Sequence, residues 1–293
     1  MSFRAGAASA RAFARAAGVA PEAPAILTCA VSGGVVTGNP NQPVTQEAVI
    51  EEAVGAVKAG ASVVHVHARS TTGDMSSSTE DYLAIKQALR EQVDDIVVNF
   101  STGGGPGATA DERRLALLAQ PELATLSCGS MNFGAADDLL LNPSSLISQL
   151  VEEMARAGIA PEYECFDTGM VVTAAKLAGA QPEMAGMIHM VLGVASGAPA
   201  SAATISLFAG LVPEGMPWAV TAVARHFPMM ALTLALGGHI RTGLEDVLYA
   251  APGEHAGSNA QLVARAKDLC EAIGRPVATP AQAREILGIA VTR

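Results

Sequence analysis

Short apolar runs alternate with amphipathic segments along almost the whole chain. Residues 26–31 form a continuous apolar stretch ended by Ser32-Gly33-Gly34, which predicts a strand followed by a tight loop. The next segment carries Ala48, Ile50, Ala53, Val54 and Val57 at helical spacing, with Thr45 before it and Gly60 after it. Those flanks are helix start and stop signals. The unit then repeats. Strands are predicted at 61–69, 96–100, 123–127, 161–166, 187–192, 218–222 and 239–243. Helices are predicted at 78–89, 110–118, 143–157, 169–178, 202–209, 228–236 and 258–273, the last N-capped by Ser258. The strands are nearly unbroken apolar runs, as a parallel sheet covered on both faces requires. Eight βα units in about 270 residues predict an α/β fold, a (β/α)8 TIM barrel. An open doubly wound sheet is the alternative. No linker or composition break divides the chain. Residues 24–293 therefore read as one domain, and the Ala- and Arg-rich residues 1–23 as a poorly structured N-terminal extension.

Composition narrows the class. Half of the 293 residues are hydrophobic but only 4% are aromatic, so the core is built from Ala, Val, Leu, Ile and Met. The net charge is −10 and no Lys/Arg-rich run occurs, which argues against nucleic acid or an anionic membrane as partner. No apolar run reaches the roughly 20 residues of a membrane span. The N-terminus lacks the continuous apolar centre of a secretory signal. Cys29, Cys128, Cys165 and Cys270 are scattered without Cys-x-x-Cys spacing. They read as buried free thiols in a reducing cytoplasm.

The chemistry lies where the predicted strands end. Side chains two apart on a strand share a face, so His65 and His67 leave the second strand on one side. Two neutral imidazoles held this way are half of a first-row metal site, with zinc the default occupant. The plainer reading is a pair of core histidines bonded to backbone. A barrel gathers its chemistry at the C-terminal ends of its strands, and polar residues collect there: Ser32, His65, His67, Arg69, Asn99, Ser101, Thr102, Ser127, Ser130, Asn132, Glu164, Asp167 and Arg241. In a closed barrel the eighth strand adjoins the first. The Arg241-Thr-Gly-Leu-Glu245-Asp246 turn then reaches the two histidines, and Glu245 is the candidate third ligand of a site with one open position. The duller alternatives for Glu245 are a surface acid or a helix cap. Asp246, beside the metal, is a candidate base.

These blocks resemble one family. Ile26-Leu-Thr-Cys-Ala-Val-Ser-Gly33, Pro43-Val-Thr45, Ala59-Gly-Ala-x-x-Val-His-Val-His-Ala-Arg69 and Ser101-Thr-Gly-Gly104 occur in order. They are followed by Gly129-Ser-Met-Asn-Phe-Gly134, Gly238-His-Ile-Arg-Thr-Gly-Leu-Glu-Asp246, Ser258-Asn-Ala-Gln-Leu-Val263 and Ala278-Thr-Pro-x-x-Ala-Arg-Glu-Ile-Leu287. Over about residues 25–289 the chain is similar to the β-keto acid cleavage enzymes, the group that includes 3-keto-5-aminohexanoate cleavage enzyme. The resemblance implies a zinc-bearing TIM barrel that assembles as a homotetramer. The implied reaction condenses a β-keto acid with acetyl-CoA and returns acetoacetate and a new acyl-CoA. It also implies His65, His67 and Glu245 as Zn2+ ligands, Arg241 and Asp246 as catalytic residues, and Ser101 and Ser130 as holders of the substrate's carboxylate and keto end. Thr102 and Asn132, on the same rim, join the candidate substrate-binding set. Family members that take an amino-bearing substrate have an acid shortly after the first strand. Val35 stands there in this chain, which predicts a neutral or apolar substituent on the keto acid.

Other features receive plainer readings. Gly103-Gly-Gly105 lacks the Gly-Lys-Ser/Thr ending of a phosphate loop and turns the chain or admits substrate. His226 and His239 are structural, and His189 lies in the core. Met187, Met229 and Met230 are packing. Arg275 and Arg284 are solvated surface residues rather than partners of CoA phosphates. Two rival functions stay open: another metal-dependent carbon–carbon lyase or aldolase on the same rim, and a binding protein with a vestigial site.

Overall fold

Six of the eight barrel strands are buried along their whole length and the other two at all but one position, and neighbours in sequence become neighbours in the sheet. The computed structural model describes residues 23–34, 38–104, 108–133, 138–181, 186–223 and 225–290. Eight parallel strands close into a barrel: β1 (Leu27–Ala30), β2 (Val63–Val66), β3 (Val97–Phe100), β4 (Leu123–Ser127), β7 (Ala160–Cys165), β8 (Met187–Leu192), β9 (Trp218–Ala222) and β10 (His239–Thr242). β1 pairs with β2 on one side and β10 on the other, so the ring is complete and the open-sheet alternative falls. Of the expected extension, residues 1–23, all but the last residue lie outside the described residues.

Among the described residues, eight helices clothe the barrel: α1 (Gln46–Ala59), α2 (Thr79–Gln92), α3 (Ala110–Leu118), α4 (Ser144–Ala157), α5 (Thr168–Ala180), α6 (Ala202–Ala209), α7 (His226–Ala235) and α8 (Asn259–Ile273). Their ends carry the signals read from the sequence. The Thr45 hydroxyl caps α1, Gly60 ends it in the left-handed region at φ 114°, and Ser258 caps α8. Helix α9 (Pro280–Leu287) was not predicted, although its capping box of Thr279 and Gln282 with Pro280 at the first position is a strong start signal. It seals the bottom of the barrel: Ala283 and Leu287 pack on Ile26, Val63, Val97, Leu123, Ala160, Met187 and Ala219. Two antiparallel ribbons were also missed. β5 (Met131–Asn132) pairs with β6 (Leu139–Leu140), and β11 (Tyr249–Ala251) with β12 (Glu254–His255). Runs of two or three residues leave no readable period.

Alternation divides the barrel strands cleanly. Leu27, Cys29, Val64, Val66, Val98 and Phe100 point outward against helices, as do Tyr163, Cys165, Ile188 and Met190 on the far side. The inward positions above the apolar plug are Thr28, His65, Asn99, Thr125, Glu162, His189, Thr221 and Arg241, all buried. The barrel interior thus changes from hydrocarbon at the bottom to a fully polar layer in the middle, and the polar layer opens upward onto the strand ends. A purely structural barrel has no need of such a layer, since each buried polar group costs free energy unless it is bonded.

Candidate metal and catalytic site

His65 and His67 both point inward from β2, with ring centroids 5.2 Å apart and planes at 82°. The third group arrives from the other side of the β1 seam. After β10 the chain turns at Gly243, whose φ of 143° belongs to glycine, and a Cβ there would lie 2.0 Å from the carbonyl oxygen of Ala30. That contact with β1 folds the turn inward. Asp246 and Val247 donate backbone N–H groups to the Gly243 carbonyl, and Glu245 donates to Ala30. The Glu245 carboxylate consequently hangs over the histidines, with Oε2 3.7 Å from His65 Nε2 and Oε1 3.6 Å from His67 Nε2.

These distances test the fit of a metal. A tetrahedral zinc with bonds of about 2.0–2.2 Å holds its ligand atoms roughly 3.3–3.5 Å apart. The observed spacing is slightly wider, and the ligand atoms of the three residues all lie within 4.8 Å of one another. Burial pushes the His65 imidazole down to about 3, with Glu245 opposing the shift and Arg241 adding to it. His65 is therefore neutral and its nitrogen is free to bind metal. Burial alone would raise the Glu245 carboxyl, but Arg241 and then the two imidazoles outweigh it and hold it well below the usual range. Glu245 is thus ionised. Its buried Oε2 has no hydrogen-bond partner among the described residues.

Arg241 organises the acids. It is buried in the polar layer, donates from Nε to Asp246 Oδ2 at 2.8 Å and from Nη2 to Oδ1 at 3.1 Å, and reaches Glu245 Oε1 at 2.5 Å. Its Nη1 lies 3.8 Å from Glu164 Oε1 and makes no hydrogen bond among the described residues. Burial raises the Asp246 carboxyl, Arg241 lowers it and Glu245 raises it again, leaving the net shift upward. Four carboxylates (Glu162, Glu164, Glu245 and Asp246) thus gather around one guanidinium. A dication between the histidines and Glu245 would relieve that imbalance.

A second group, Glu162, Glu164 and His189, also has metal-compatible spacing. Three of its donor atoms carry hydrogen bonds, and two others face each other. His189 Nδ1 lies 2.6 Å from Glu162 Oε1, and its Nε2 lies 2.8 Å from the Thr221 hydroxyl. Glu162 Oε2 accepts from Asn99 Nδ2, and Glu164 Oε2 accepts from Ser127 Oγ at 3.1 Å. Glu162 Oε1 and His189 Nδ1, 2.6 Å apart, are left to each other beneath Arg241, whereas the first group opens onto the strand ends, with His67 and Glu245 partly exposed.

A family model described as beta-keto acid cleavage enzyme matches residues 24–289. The chain belongs to that family. It is 39% identical over 268 residues to a 3-keto-5-aminohexanoate cleavage enzyme of Acetoanaerobium sticklandii, covering 90% of this chain and 98% of the relative. It is 34% identical to a 3-oxoadipate:acetyl-CoA acetyltransferase of Cupriavidus necator, covering 91% and 95%. To a 3-dehydrocarnitine:acetyl-CoA trimethylamine transferase of Rhizobium meliloti it is 32% identical, covering 89% and 95%. Among solved structures, a ternary complex of ObcA with a C4-CoA adduct and oxalate matches with a TM-score of 0.70 and 22% identity, over 85% of this chain and 68% of that one. At that identity it speaks for the barrel alone.

Within this β-keto acid cleavage fold the remaining expected residues divide. Ser101 is buried at the end of β3 and its Oγ accepts from the Gly103 N–H at 3.1 Å. Thr102 is committed inward: its hydroxyl donates to the Thr125 carbonyl at 2.6 Å and its N–H to the Thr125 hydroxyl at 3.1 Å. Ser130 is exposed, and its Oγ accepts from the Asn142 N–H at 2.7 Å. Asn132 is exposed on the short ribbon. Asp167 caps α5 by accepting from Met170 N–H. Val35 lies outside the described residues.

Two arginines depart from expectation. Arg275 is buried and donates to the carbonyls of Leu234 and Gly238, and Arg284 bridges Asp95 at 2.8 Å and Glu122 at 2.5 Å. They are fastenings rather than solvated surface, because the carbonyls and acids they join need a cation between them. His226 bonds the Thr242 hydroxyl at 2.8 Å and His239 accepts from Ile26 N–H at 3.1 Å, so both serve structure. All four cysteines are free and buried. Sequence reasoning missed Glu162 and Asn259. Alternation along residues 160–165 would have placed Glu162 inward with Glu164, had a glutamate mid-strand been followed that far. Asn259 stood inside the Ser258–Val263 block, but its role left no local trace, because its partners Val31, Glu52 and Leu244 lie on other elements.

Proposed function

We propose that this enzyme of the β-keto acid cleavage family binds Zn2+ through His65, His67 and Glu245, and exchanges the acyl end of a β-keto acid with acetyl-CoA to release acetoacetate and a new acyl-CoA. The observation that carries the reading is the convergence of three unspent ligand atoms beside an aspartate held by a buried arginine. The names of the relatives, which pair several β-keto acids with acetyl-CoA, support the reaction class.

Bound there, the metal would polarise the keto oxygen and stabilise negative charge developing on it. The chain's own residues do the rest. Asp246 removes the proton from the carbon between the two carbonyls. That carbon attacks the thioester carbonyl of acetyl-CoA, and the CoA thiolate leaves. The thiolate adds to the original keto carbonyl, the bond between that carbon and the central carbon breaks, and Asp246 returns its proton to acetoacetate. Arg241 orients Asp246 throughout and pairs with the oxyanions. Ser101 and Ser130 hold the carboxylate and keto end. Val35, where an acid would meet an ammonium group, favours a neutral or apolar substituent. The four free buried cysteines fit a cytoplasmic setting, and no helix among the described residues is long and apolar enough to cross a membrane. A homotetramer is the proposed assembly, on the family resemblance.

The test is elemental analysis of the purified protein together with an acetyl-CoA-dependent acetoacetate assay over several β-keto acids, with and without an amino group. Zinc near one equivalent and turnover of neutral keto acids are expected. Asp246→Asn should retain the zinc and lose about 100-fold or more in kcat, the scale of a general base. Wild-type turnover by that variant would remove Asp246 from the role, and turnover without acetyl-CoA would favour a simple lyase. A clear preference for 3-keto-5-aminohexanoate would overturn the reading of Val35.

A further inference from the structure

Arg113 belongs to α3 yet is buried, and its guanidinium is spent on loops rather than on acids. Nε donates to the Thr102 carbonyl at 2.7 Å, Nη1 to the Leu141 carbonyl at 3.0 Å, and Nη2 to Asn142 Oδ1 at 2.6 Å. Asn142, itself buried, passes the connection on. Its N–H donates to Ser130 Oγ at 2.7 Å, and its Nδ2 donates to the Gly129 carbonyl at 3.0 Å. On the other side, Thr102 follows Ser101 directly and is locked to Thr125. One planar fork therefore spans from the loop after β3, which carries Ser101, to the loop after β4, which carries Ser130. All three of its acceptors are neutral oxygens, and the carboxylate acting on it, Glu164, does so from longer range. A buried cation is costly to hold, and a lysine, with a point charge on a flexible stem, cannot bridge three oxygens in one plane.

We infer that Arg113 is a positioning and specificity-determining residue, which sets the spacing between Ser101 and Ser130 and places a positive charge, bonded to no carboxylate among the described residues, behind the site that receives the carboxylate of the β-keto acid. This rests on the proposed function, in which those two serines hold the acid. The fork does two things at once. Its rigid geometry fixes the separation of the two hydroxyl-bearing loops, and its charge, not cancelled by a bonded carboxylate, favours an anionic substrate end over a neutral one. Arg113 does not touch the reacting carbons, so its removal acts on keto-acid binding first.

The experiment compares the zinc-loaded wild type with Arg113→Lys and Asn142→Asp. The lysine keeps the charge and loses the fork. The aspartate keeps an acceptor for Arg113, loses the donor to Gly129 and cancels the charge, so it guards against a fold that fails only for want of the arginine. KM for the β-keto acid, KM for acetyl-CoA, kcat, zinc content and Tm are measured for each. The keto-acid KM should rise about tenfold or more in both variants, with KM for acetyl-CoA within about twofold of wild type and zinc content unchanged. Wild-type keto-acid KM in either folded variant overturns the inference, as does a parallel rise in both KM values. A wild type inert on every β-keto acid overturns the function beneath it, and the inference with it. An active wild type with unchanged variants overturns the inference alone.

Discussion

At the scale of single residues, most buried polar groups in this barrel are held in one protonation state by their surroundings. His239 is the clearest case outside the site. Its Nδ1 accepts the Ile26 N–H, and burial, aided by Arg275, pushes its pKa down to about 3. An unfolded histidine titrates near 6.5. Between those values the unfolded chain binds a proton that the folded chain refuses, so stability contributed here is present above pH 6.5 and lost as pH falls through the window. At pH 5 the loss attributable to this histidine is about 2 kcal/mol. His239→Gln can still accept from Ile26 but does not titrate. Urea unfolding should find it less stable than wild type at pH 7.5 by about 1 kcal/mol, with the gap closed or reversed at pH 5. An equal gap at both pH values would mean that His239 takes up its proton in the folded protein at the same pH as in the unfolded chain.

At the scale of elements, the arrangement depends on short connections rather than on the strands themselves. Strand and helix positions were legible because burial on both faces writes continuous apolar runs and capping residues mark the helix ends. His65 and His67 were legible because strand alternation fixes their shared side. The joining of Glu245 to them was legible only through ring closure, since nothing local says that the turn after β10 faces inward. What sets that turn is Asn259, at the first position of α8. Its Oδ1 accepts from Leu244 N–H at 2.9 Å, its Nδ2 donates to the Val31 carbonyl at 3.0 Å, and both its N–H and Nδ2 reach Glu52 Oε2 on α1. One buried amide thus ties the end of β1, the turn bearing Glu245 and α1. Such a contact joins residues more than two hundred positions apart and leaves no periodic trace. Asn259→Ala would leave several buried groups unpaired, at a cost of about 2–4 kcal/mol. It should also weaken metal binding by about 10–100-fold through the displaced Glu245. Chemical denaturation and a competitive zinc titration measure the two effects. Lost stability with unchanged zinc affinity would show that the turn holds its shape without Asn259.

For the molecule as a whole, the barrel and its polar centre have separate sources of stability. The apolar plug closed by α9 and the two outer cores between strands and helices are continuous without the site. Folding therefore does not wait for a metal, unlike a small domain with no core of its own. The middle layer is different. Four carboxylates face one buried arginine there, and the separation of Glu245 from both histidines leaves its Oε2 unpaired. An ion that binds the folded chain alone adds RT ln(1 + [L]/Kd), about 2.7 kcal/mol at a hundredfold excess over Kd. In a barrel of this size that corresponds to a Tm increase of roughly 4–5 °C. Removing metal with a chelator should therefore lower Tm by that amount while far-ultraviolet circular dichroism at 25 °C stays unchanged, and added Zn2+ should restore it. The same titration on His67→Ala should produce little shift, because two ligands in place of three cannot hold the ion. A Tm that ignores both chelator and zinc in the wild type would mean that the imidazoles and Glu245 meet for another reason. Unfolding on chelation would mean instead that the barrel needs its ion to close. The expected result lies between these limits, since His65 and His67 stand on β2 and just after it, Glu245 on a turn tied to β1, and an ion bound there would offset a charge that the fold bears without it.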